Sequence, residues 1–478
     1  MVAYMDQLFI LFPIIAGFSL AMPLAEMLGI SPRASKIMAS LVLTIALLVV
    51  LAQPPRGAPQ TVSGFIINMD GISYPISIAI LLGAIVGVLA LPLGSTDSVY
   101  AYLSMALMGS LASIMLSMAR DPVAIISAWT LLSITTFAAI ALARDRDSME
   151  ASVRYSIVGS LASQLLILGI ALVAPYLYLG SLAGSIASGL VASAGVAAVA
   201  FLSIAIAFKL GAAPSHAWVP DVYGSASPYV VSLISGSLKL GVIGVLAWLL
   251  RELYPISSNA FPVLAFISLT SMLIGSITPL TQTNAQRILA YSSIAHMGFI
   301  FIGLSVISIS HDNPQAFRLA LLGVAFHTIA YSLGKSGVFA ALNYMKRSRG
   351  GLSLEAIEGV ARDNARLSFS LATHMLNLIG VPPLPGFWGK LFLFMAASQS
   401  IPGLYIGSAP WLALTGIIAS VISVYYYLNI LRPSIMIARE TQTLNRSEED
   451  PDLWASYIAA IATIVMGIFI YIFSYYIY

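Results

Sequence analysis

The feature that most constrains this chain is an apolar run of about 20 residues that recurs from one end of the sequence to the other. A helix of that length crosses the roughly 30 Å hydrocarbon core of a bilayer. Only 9% of the 478 residues are charged, whereas soluble domains carry about 25%. We therefore predict an all-α, polytopic membrane protein without a soluble domain.

Proline, glycine and charged residues divide the apolar runs into fourteen predicted membrane-spanning helices. They lie near residues 8–28, 34–53, 74–95, 98–119, 122–143, 155–178, 186–220, 226–250, 260–281, 286–308, 316–344, 367–398, 409–432 and 454–477. The seventh is interrupted at GAAPSHAWVP and the twelfth at GVPPLPGFWGK. Broken helices five positions apart are what an inverted repeat of helices 4–8 and 9–13 would produce. The predicted units are 1–97 (three helices), 98–252 and 253–432 (the repeats), and 433–478 (a loop and the last helix).

Basic residues in the loops predict the orientation of the chain. The even-numbered loops contain only Arg56, Arg120, Arg251 and Arg318, and most other Lys and Arg residues lie in odd-numbered loops. Because Lys and Arg accumulate in cytoplasmic loops, we expect the odd-numbered loops on the cytoplasmic side of the cell membrane. Both termini should then lie on the outer side. In the cytoplasmic loop 346–366, residues 354–360 predict a short amphipathic helix.

The absence of cysteine limits the chemistry of this chain. It excludes thiolate-bound iron–sulfur clusters and disulfides, and the five histidines include no HxxxH pair of the kind that binds zinc. We therefore expect no cofactor and no metal in the chain itself. A formal net charge of +3 gives no indication of nucleic-acid binding, and we expect none. The apolar runs predict contact with membrane lipid.

Lysines lie deep inside four of the predicted spans: Lys209, Lys239, Lys335 and Lys390. Lys239 is about 11 residues from either end of its span, roughly 16 Å along a helix, which is too far for its amine to reach water. A lysine at the bilayer centre costs about 2.5–3.5 kcal/mol, and such residues usually serve a function. The alternative for Lys209 and Lys390 is that they only satisfy carbonyls freed by the helix breaks.

Histidines interleave with these lysines. His327, Tyr331 and Lys335 are spaced four residues apart and share one helix face. His296 lies in a polar patch within an apolar span. An imidazole can relay protons between lysines, or it can simply hydrogen-bond neighbouring helices.

No carboxylate falls in the middle of a predicted span, and Glu26 lies two residues from the end of the first. A membrane sodium site normally uses oxygen ligands that include a carboxylate. The sequence therefore favours protons over Na⁺ as the transported ion. A buried lysine suits this role because burial disfavours its charged form, so the amine can release and accept a proton.

Four segments, within roughly residues 98–432, resemble the antiporter-like membrane subunits of respiratory complex I, a family shared with Mrp antiporters and membrane-bound hydrogenases. FKLGAAPSHAWVPDVY resembles the seventh-helix motif of the family, and NAQRILAYSSIAHMGF the tenth. FHTIAYSLGKSGVFAAL resembles the eleventh, and GVPPLPGFWGKLFLF the twelfth. Matches of this length in the right order are far more specific than one short motif.

The resemblance implies fourteen helices with inverted repeats over helices 4–8 and 9–13. It also implies that Lys209 belongs to an input half-channel, Lys239 to the connection and Lys390 to the output. The central axis would contain His296, His327 and Lys335.

The details of the resemblance favour one type of subunit. A lysine in the twelfth helix argues against the M type, which has a glutamate there, and the long lateral helix of the L type is lacking. WVPDVY and the chain length are most similar to the N type, with the Mrp D type next.

One departure concerns the fifth helix, where the family usually has a glutamate that pairs with the seventh-helix lysine. Here SAWTLLSITTFA places Thr130 at the matching position. Glu26 and Asp121 are candidate replacements for that carboxylate. The accessory candidates for the proton pathway are His216, Tyr331, His374 and Thr130.

We predict a proton-translocating membrane subunit of a complex I-like oxidoreductase that transfers electrons from NAD(P)H or a related donor to quinone. Its partners would be other membrane subunits and, indirectly, the iron–sulfur and flavin subunits that carry the electrons. The alternatives are a subunit of a Mrp-type cation/proton antiporter or of a membrane-bound hydrogenase. A structural spacer, whose lysines only satisfy the broken helices, is a third alternative.

Overall fold

The computed structural model describes residues 7–53, 55, 59–62, 64–93, 99–142, 146–179, 190–254, 256–362, 364–400, 409–436 and 450–469. The helices α1–α17 are Gln7–Met27, Pro32–Ala52, Ser73–Leu89, Val99–Met118, Pro122–Ala141, Arg146–Leu179, Leu190–Leu210, Trp218–Ser225, Pro228–Gly236, Gly241–Glu252, Phe261–Ile277, Ala285–Ile309, Pro314–Arg349, Ala365–Ile379, Pro385–Gln399, Pro410–Met436 and Pro451–Ile468. Three 3₁₀ turns (Leu238–Leu240, Ile256–Ala260, Thr278–Thr281) and the strands β1 (Gln60–Val62) and β2 (Phe65–Ile67) complete the elements.

The helices have the length and composition of a multi-pass membrane protein. Within the described ranges, ten segments are long and apolar enough to cross a membrane. Shorter apolar helices cover Leu11–Met27, Ser73–Leu89 and Gly195–Leu210. Large apolar side chains such as Leu20, Leu48 and Val421 are exposed on the surface, as hydrocarbon contact requires. The prediction of a helical, polytopic membrane protein is confirmed.

Both predicted helix breaks are present. α7 ends before Gly211, where the backbone has a φ of +77° that glycine adopts easily. A Cβ at this position would lie 2.3 Å from Val219 Cγ2, so a larger residue would clash. α14 ends before Gly380, at φ +93°, and two prolines precede α15. A further interruption, the 3₁₀ turn at Leu238–Leu240 between α9 and α10, lies in a segment that the sequence predicts as continuous.

The structure corrects the sequence-based prediction in two places. The chain is not entirely α-helical, because β1 and β2 form an antiparallel hairpin with Gln60 opposite Ile67, and β-branched and aromatic residues favour this conformation. Residues 354–362 form hydrogen-bonded turns in place of the predicted amphipathic helix. There Gly359 N–H donates to Pro433 O (2.9 Å) and Ala361 N–H to Ser434 O (3.0 Å), which ties the loop to the end of α16.

The centre of the molecule is packed through small residues. Ser332 Oγ on α13 lies 2.6 Å from both Ala79 O on α3 and Gly236 O on α9. A Cβ on Gly83 would come within 2.0 Å of Gly236 O, so α3 and α9 approach backbone to backbone. Such contacts are typical of helix packing in membranes, and they bury α13 at the centre of the bundle.

A buried ion pair stabilises the end of this bundle next to the hairpin. Arg120 Nη2 lies 2.8 Å from Asp70 Oδ2, and the Arg120 side chain is 2% exposed. Burial raises the pKa of Asp70, but the Arg120 charge and hydrogen bonds from Ser73 outweigh it and hold this pKa below 3.8. The ion pair therefore contributes stability above that pH, which is lost as the pH falls through the native pKa.

We expect Asp70→Asn to lower the free energy of unfolding by about 3–5 kcal/mol at neutral pH, because Arg120 is left buried without its ion-pair partner. Unfolding of both proteins in detergent, followed by circular dichroism, measures this difference. It should shrink once the pH falls below about 3.8. Equal stability at neutral pH would contradict the prediction.

Candidate functional site

Lys209 lies in the last turn of α7, directly before the first helix break. Its amine donates a hydrogen bond to Ser133 Oγ on α5 (2.8 Å). The rings of Trp129, Phe137 and Tyr155 surround it at 5.3, 5.6 and 5.9 Å from their centroids. The amine is therefore held by one hydroxyl and by aromatic faces, which attract a cation through their quadrupoles.

Lys239 lies in the 3₁₀ turn between α9 and α10 and is buried. Its amine donates to Leu210 O (2.8 Å), a carbonyl that the break after α7 leaves without a helical partner. The Tyr331 ring lies 5.1 Å from the amine and the Tyr223 ring 5.8 Å away. Because Leu210 follows Lys209 in sequence, one broken helix end links the surroundings of the two lysines.

Lys335 lies on α13 and is completely buried. Its amine donates to Leu289 O (2.8 Å) and to Ser292 Oγ (2.5 Å), both on α12. Ser292 Oγ lies 2.7 Å from the hydroxyl of Tyr427 on α16. The lysine is therefore the first member of a side-chain network that joins three helices.

Two histidines continue this network. The Tyr427 hydroxyl lies 3.0 Å from His296 Nε2, and His296 Nδ1 lies 3.0 Å from His327 Nε2. In a hydrogen bond between two imidazoles one nitrogen carries the hydrogen and the other accepts it. The result is an unbroken hydrogen-bonded chain, which we call the central chain: Lys335, Ser292, Tyr427, His296 and His327.

Lys390 lies on α15, one turn beyond the second break. Its amine donates to Leu378 O (3.1 Å) and Ile379 O (2.8 Å), the carbonyls at the end of α14, and to Ser420 Oγ (2.8 Å). A Cβ on the preceding residue, Gly389, would lie 2.6 Å from the His327 backbone nitrogen. α15 therefore packs directly against the His327 end of the central chain.

The structure brings most of the predicted site residues together. Tyr331 lies between two lysines, with its ring 5.1 Å from the Lys239 amine and 5.9 Å from the Lys335 amine. Its ring centroid is 5.5 Å from that of His296. Within the described ranges, no ion pair joins any of the four lysines to a carboxylate.

Three accessory candidates lie outside this arrangement. Thr130 is exposed and donates to Ile126 O of its own helix (2.8 Å), so Ser133, one turn further along α5, is the side chain that contacts Lys209. His216 is half-buried in the first break, where Nδ1 lies 3.2 Å from Pro214 O. His374 is fully buried but contacts α17, not the central chain.

The two proposed replacements for the fifth-helix carboxylate are also accounted for. Glu26 is exposed on α1. Asp121 caps the N-terminus of α5 by accepting from Val123 N and Ala124 N, and it accepts from Ile66 N as well. All three of these hydrogen bonds to Asp121 are structural. In the described part of the chain, no contact joins either carboxylate to Lys209.

Sequence reasoning missed Tyr427, Ser133 and Ser420 as members of the site. Tyr427 is one of three consecutive tyrosines, and its contact with His296 spans 131 residues. Its only signal in the sequence is a hydroxyl within an apolar span, and that signal does not distinguish it from its two neighbours.

This arrangement has the chemistry of a proton-transfer system. Each member can donate or accept a hydrogen bond, and lysine and histidine can also take up a proton. Hydrogen-bonded chains between such groups allow a proton to pass without a mobile carrier. The aromatic rings and freed carbonyls stabilise the charged lysine without a fixed negative charge.

The sequence is similar to proteins of known families. The family described as NADH:quinone oxidoreductase/Mrp antiporter, TM, matches residues 119–423. NADH-quinone oxidoreductase subunit N of Parvibaculum lavamentivorans is 31% identical over 389 residues, which cover 79% of this chain and 77% of that protein. The protein of the same name from Paramagnetospirillum magneticum is 32% identical over 372 residues, or 74% and 72% of the two chains.

Solved structures share the fold. A chain of respiratory complex I from Thermus thermophilus with bound aureothin has a TM-score of 0.77 and 27% identity over 96% of both chains. A chain of the Mrp complex from Dietzia sp. DQ12-45-1b has a TM-score of 0.81 over 98% of this chain and 95% of that one. Its sequence identity is 17%, so this similarity shows a shared fold only. This chain therefore belongs to the NADH:quinone oxidoreductase/Mrp antiporter family of transmembrane proteins.

Proposed function

We propose that this chain is the N-type, proton-translocating membrane subunit of a complex I-like NADH:quinone oxidoreductase. The observation that carries the proposal is the central chain, five buried side chains joined by hydrogen bonds of 2.5–3.0 Å. Lys209 and Lys239 lie at the first helix break, on one side of the central chain, and Lys390 lies at the second break, beside its His327 end. The similarity to proteins named NADH-quinone oxidoreductase subunit N supports the same function.

The mechanism follows from the way each lysine is held. A buried, protonated lysine raises the electrostatic cost of protonating the next one, because Coulomb interactions are strong in a medium of low dielectric constant. We call Lys209, Lys239, Lys335 and Lys390 the lysine row. A charge change at one end of this row would therefore shift a proton along it. Electron transfer in partner subunits would provide that change, and the proton would move from Lys209 through Lys239 and Lys335 toward Lys390.

The proposal includes a specific topology. The chain would cross the membrane fourteen times, with both termini outside and the inverted repeats in residues 98–252 and 253–432. The matching positions of the breaks after Leu210 and Ile379 support this symmetry. Residues 1–97 would add three helices, and 433–478 a cytoplasmic loop and the last helix.

We further infer that electrons do not pass through this chain. Without cysteine it has no thiolate for an iron–sulfur cluster. Iron–sulfur and flavin subunits of the same assembly would carry the electrons, and neighbouring membrane subunits would transmit their effect to the lysine row.

Purification of the intact assembly from native membranes tests this function. We expect iron–sulfur and flavin subunits to copurify, and NADH oxidation in reconstituted vesicles to drive proton translocation. Proton exchange that depends on sodium and proceeds without an electron donor would favour a Mrp-type antiporter subunit and contradict the proposal.

A further inference from the structure

We propose that α14 and α17 form a second proton-conducting branch, in which Asp452 and His374 transfer protons between the membrane surface near Arg347 and Lys390. The branch deepens the proposed function, on which it rests, by assigning a route to one of its lysines. Neither Asp452 nor His374 contacts the central chain, and both are fully buried.

Asp452 marks the end of the branch at the cytoplasmic surface. Among the described acidic residues it alone has no exposed surface. Its Oδ2 accepts hydrogen bonds from Arg347 Nη1 (2.8 Å) and Asn343 Nδ2 (3.0 Å). The Arg347 side chain is 23% exposed, so Asp452 lies one residue layer below the surface. The sequence predicts the last span from residue 454, whereas α17 begins at Pro451 and includes this carboxylate.

The next step inward is a contact between α17 and α14. Ser456 lies one helical turn after Asp452, and its carbonyl accepts a hydrogen bond from His374 Nε2 (3.0 Å). A carbonyl can only accept, so Nε2 carries the hydrogen and Nδ1 has a free lone pair. His374 Nδ1 and Ser456 Oγ are both buried, and neither has a hydrogen-bond partner in the described part of the chain.

These unpaired atoms need an explanation, because a buried polar group without a partner costs about 1–3 kcal/mol. Pure helix packing does not require an imidazole at this position. The fold nevertheless makes room for one, since a Cβ on Gly337 would lie only 2.2 Å from the His374 ring. A proton acceptor on Nδ1, on a ring that is hydrogen-bonded to the residue with the unpaired hydroxyl, is what a relay position requires.

The last step leads to Lys390. Leu378 lies one turn after His374 on α14, and its carbonyl accepts from the Lys390 amine (3.1 Å). Between them Asn377 bridges the break, donating to Ala330 O (2.8 Å) and accepting from Gly386 N (2.9 Å). One face of α14 therefore connects the histidine to the surroundings of the lysine.

The proton balance of this branch is simple. Asp452, protonated from the cytoplasmic side, gives its proton to the Ser456 hydroxyl, which passes a proton to the free lone pair of His374 Nδ1 once the Ser456 side chain has rotated into contact with both groups. The resulting imidazolium gives a proton to the neutral amine of Lys390, and Asp452 is again a carboxylate beside Arg347. No oxidant or reductant is required, and the same steps run in reverse.

The test uses variants of the complete, reconstituted assembly. Asp452→Asn keeps an acceptor for Arg347 and Asn343 but cannot carry a proton, and His374→Gln keeps a donor for Ser456 O without a titratable nitrogen. We expect each to slow NADH-driven proton translocation about 10-fold or more, since removal of a proton-transfer group commonly costs at least 10²-fold in its own step. Asp452→Glu keeps a titratable carboxylate and should recover most of the rate.

Asp450→Asn is the matched control. Asp450 Oδ1 lies 3.6 Å from Arg347 Nη2, so the variant removes a charge beside the same arginine but lies off the branch. We expect it to pump at the normal rate. If Asp450→Asn slows translocation as much as Asp452→Asn does, or if Asp452→Glu gives no recovery, the role of Asp452 is structural and the branch is wrong.

A lysine variant separates this inference from the proposed function. If Lys239→Met stops translocation while Asp452→Asn and His374→Gln pump normally, the branch is wrong and the proposed function stands. If all three variants pump normally, the proposed function fails together with the branch.

Discussion

Replacement of Lys239 by methionine is expected to abolish proton translocation through this subunit. Methionine fills a similar volume but carries no proton, and Lys239 is the titratable group between Lys209 at the first break and Lys335 in the central chain. Loss of a proton-transfer group lowers the rate of its step by about 10²–10⁴-fold. Proton translocation per NADH oxidised, measured with a pH-sensitive dye in vesicles of the reconstituted assembly, reports the loss.

Lys36→Met provides the matched control. Lys36 on α2 is also buried, and its amine donates to Leu89 O and Leu91 O, both at 2.7 Å. Loss of these two hydrogen bonds lowers stability by about 1–3 kcal/mol for each carbonyl left unsatisfied. Lys36 has no contact with Lys209, Lys239, Lys335 or Lys390, and only its charge acts on Asp452 of the second branch. Translocation should therefore fall far less than in Lys239→Met. A Lys239→Met variant that pumps like the unmodified assembly would overturn the role of Lys239.

The large features of this fold were predictable because the bilayer imposes them. Each crossing needs an apolar run of fixed length, and a charge inside such a run is conspicuous. The four lysines were therefore found from sequence alone, and the structure buries all four. The spacing of His327, Tyr331 and Lys335 also gave the correct face, since His327 and Tyr331 both pack on His296.

Contacts between helices were not predictable in the same way. α5 is apolar on all sides, so its sequence does not reveal which residues face α7. Thr130 and Ser133 differ by one turn, yet Thr130 is exposed and Ser133 holds Lys209. The resemblance to the family indicated the right helix but not the side chain that makes the contact.

The burial of charged residues near the ends of predicted spans was also not predictable from the sequence. Lys36 and Asp452 each lie within about one turn of a predicted helix end, where long side chains normally reach water. Both are buried because another helix covers them: Lys36 donates to carbonyls at the end of α3, and Asp452 accepts from Arg347 on α13. Only the packing of distant segments decides this, and a single sequence does not encode it in a readable pattern.

The second large effect is expected for Gly386→Ala, which should prevent the subunit from accumulating in the membrane. A Cβ at this position would lie 1.9 Å from Asn377 O, a backbone atom that cannot rotate away. α15 must then move off α14, which breaks the hydrogen bond from Gly386 N–H to Asn377 Oδ1 (2.9 Å) and separates Lys390 from the carbonyls of Leu378 and Ile379. Overpacking of a core costs about 1–3 kcal/mol even when side chains can adjust, so we expect a loss of at least about 3 kcal/mol here.

Gly17→Ala tests whether this effect comes from the contact or from glycine itself. Gly17 lies within α1, and a Cβ there would meet no atom within 4 Å. Alanine stabilises a helix interior by about 0.5–1 kcal/mol relative to glycine, so this variant should accumulate as well as the unmodified chain and unfold at a slightly higher temperature. Normal accumulation of both variants would show that α14 and α15 do not approach backbone to backbone at the second break. In that case the carbonyls at the end of α14 would not hold Lys390, and the proton pathway would have to end at His327.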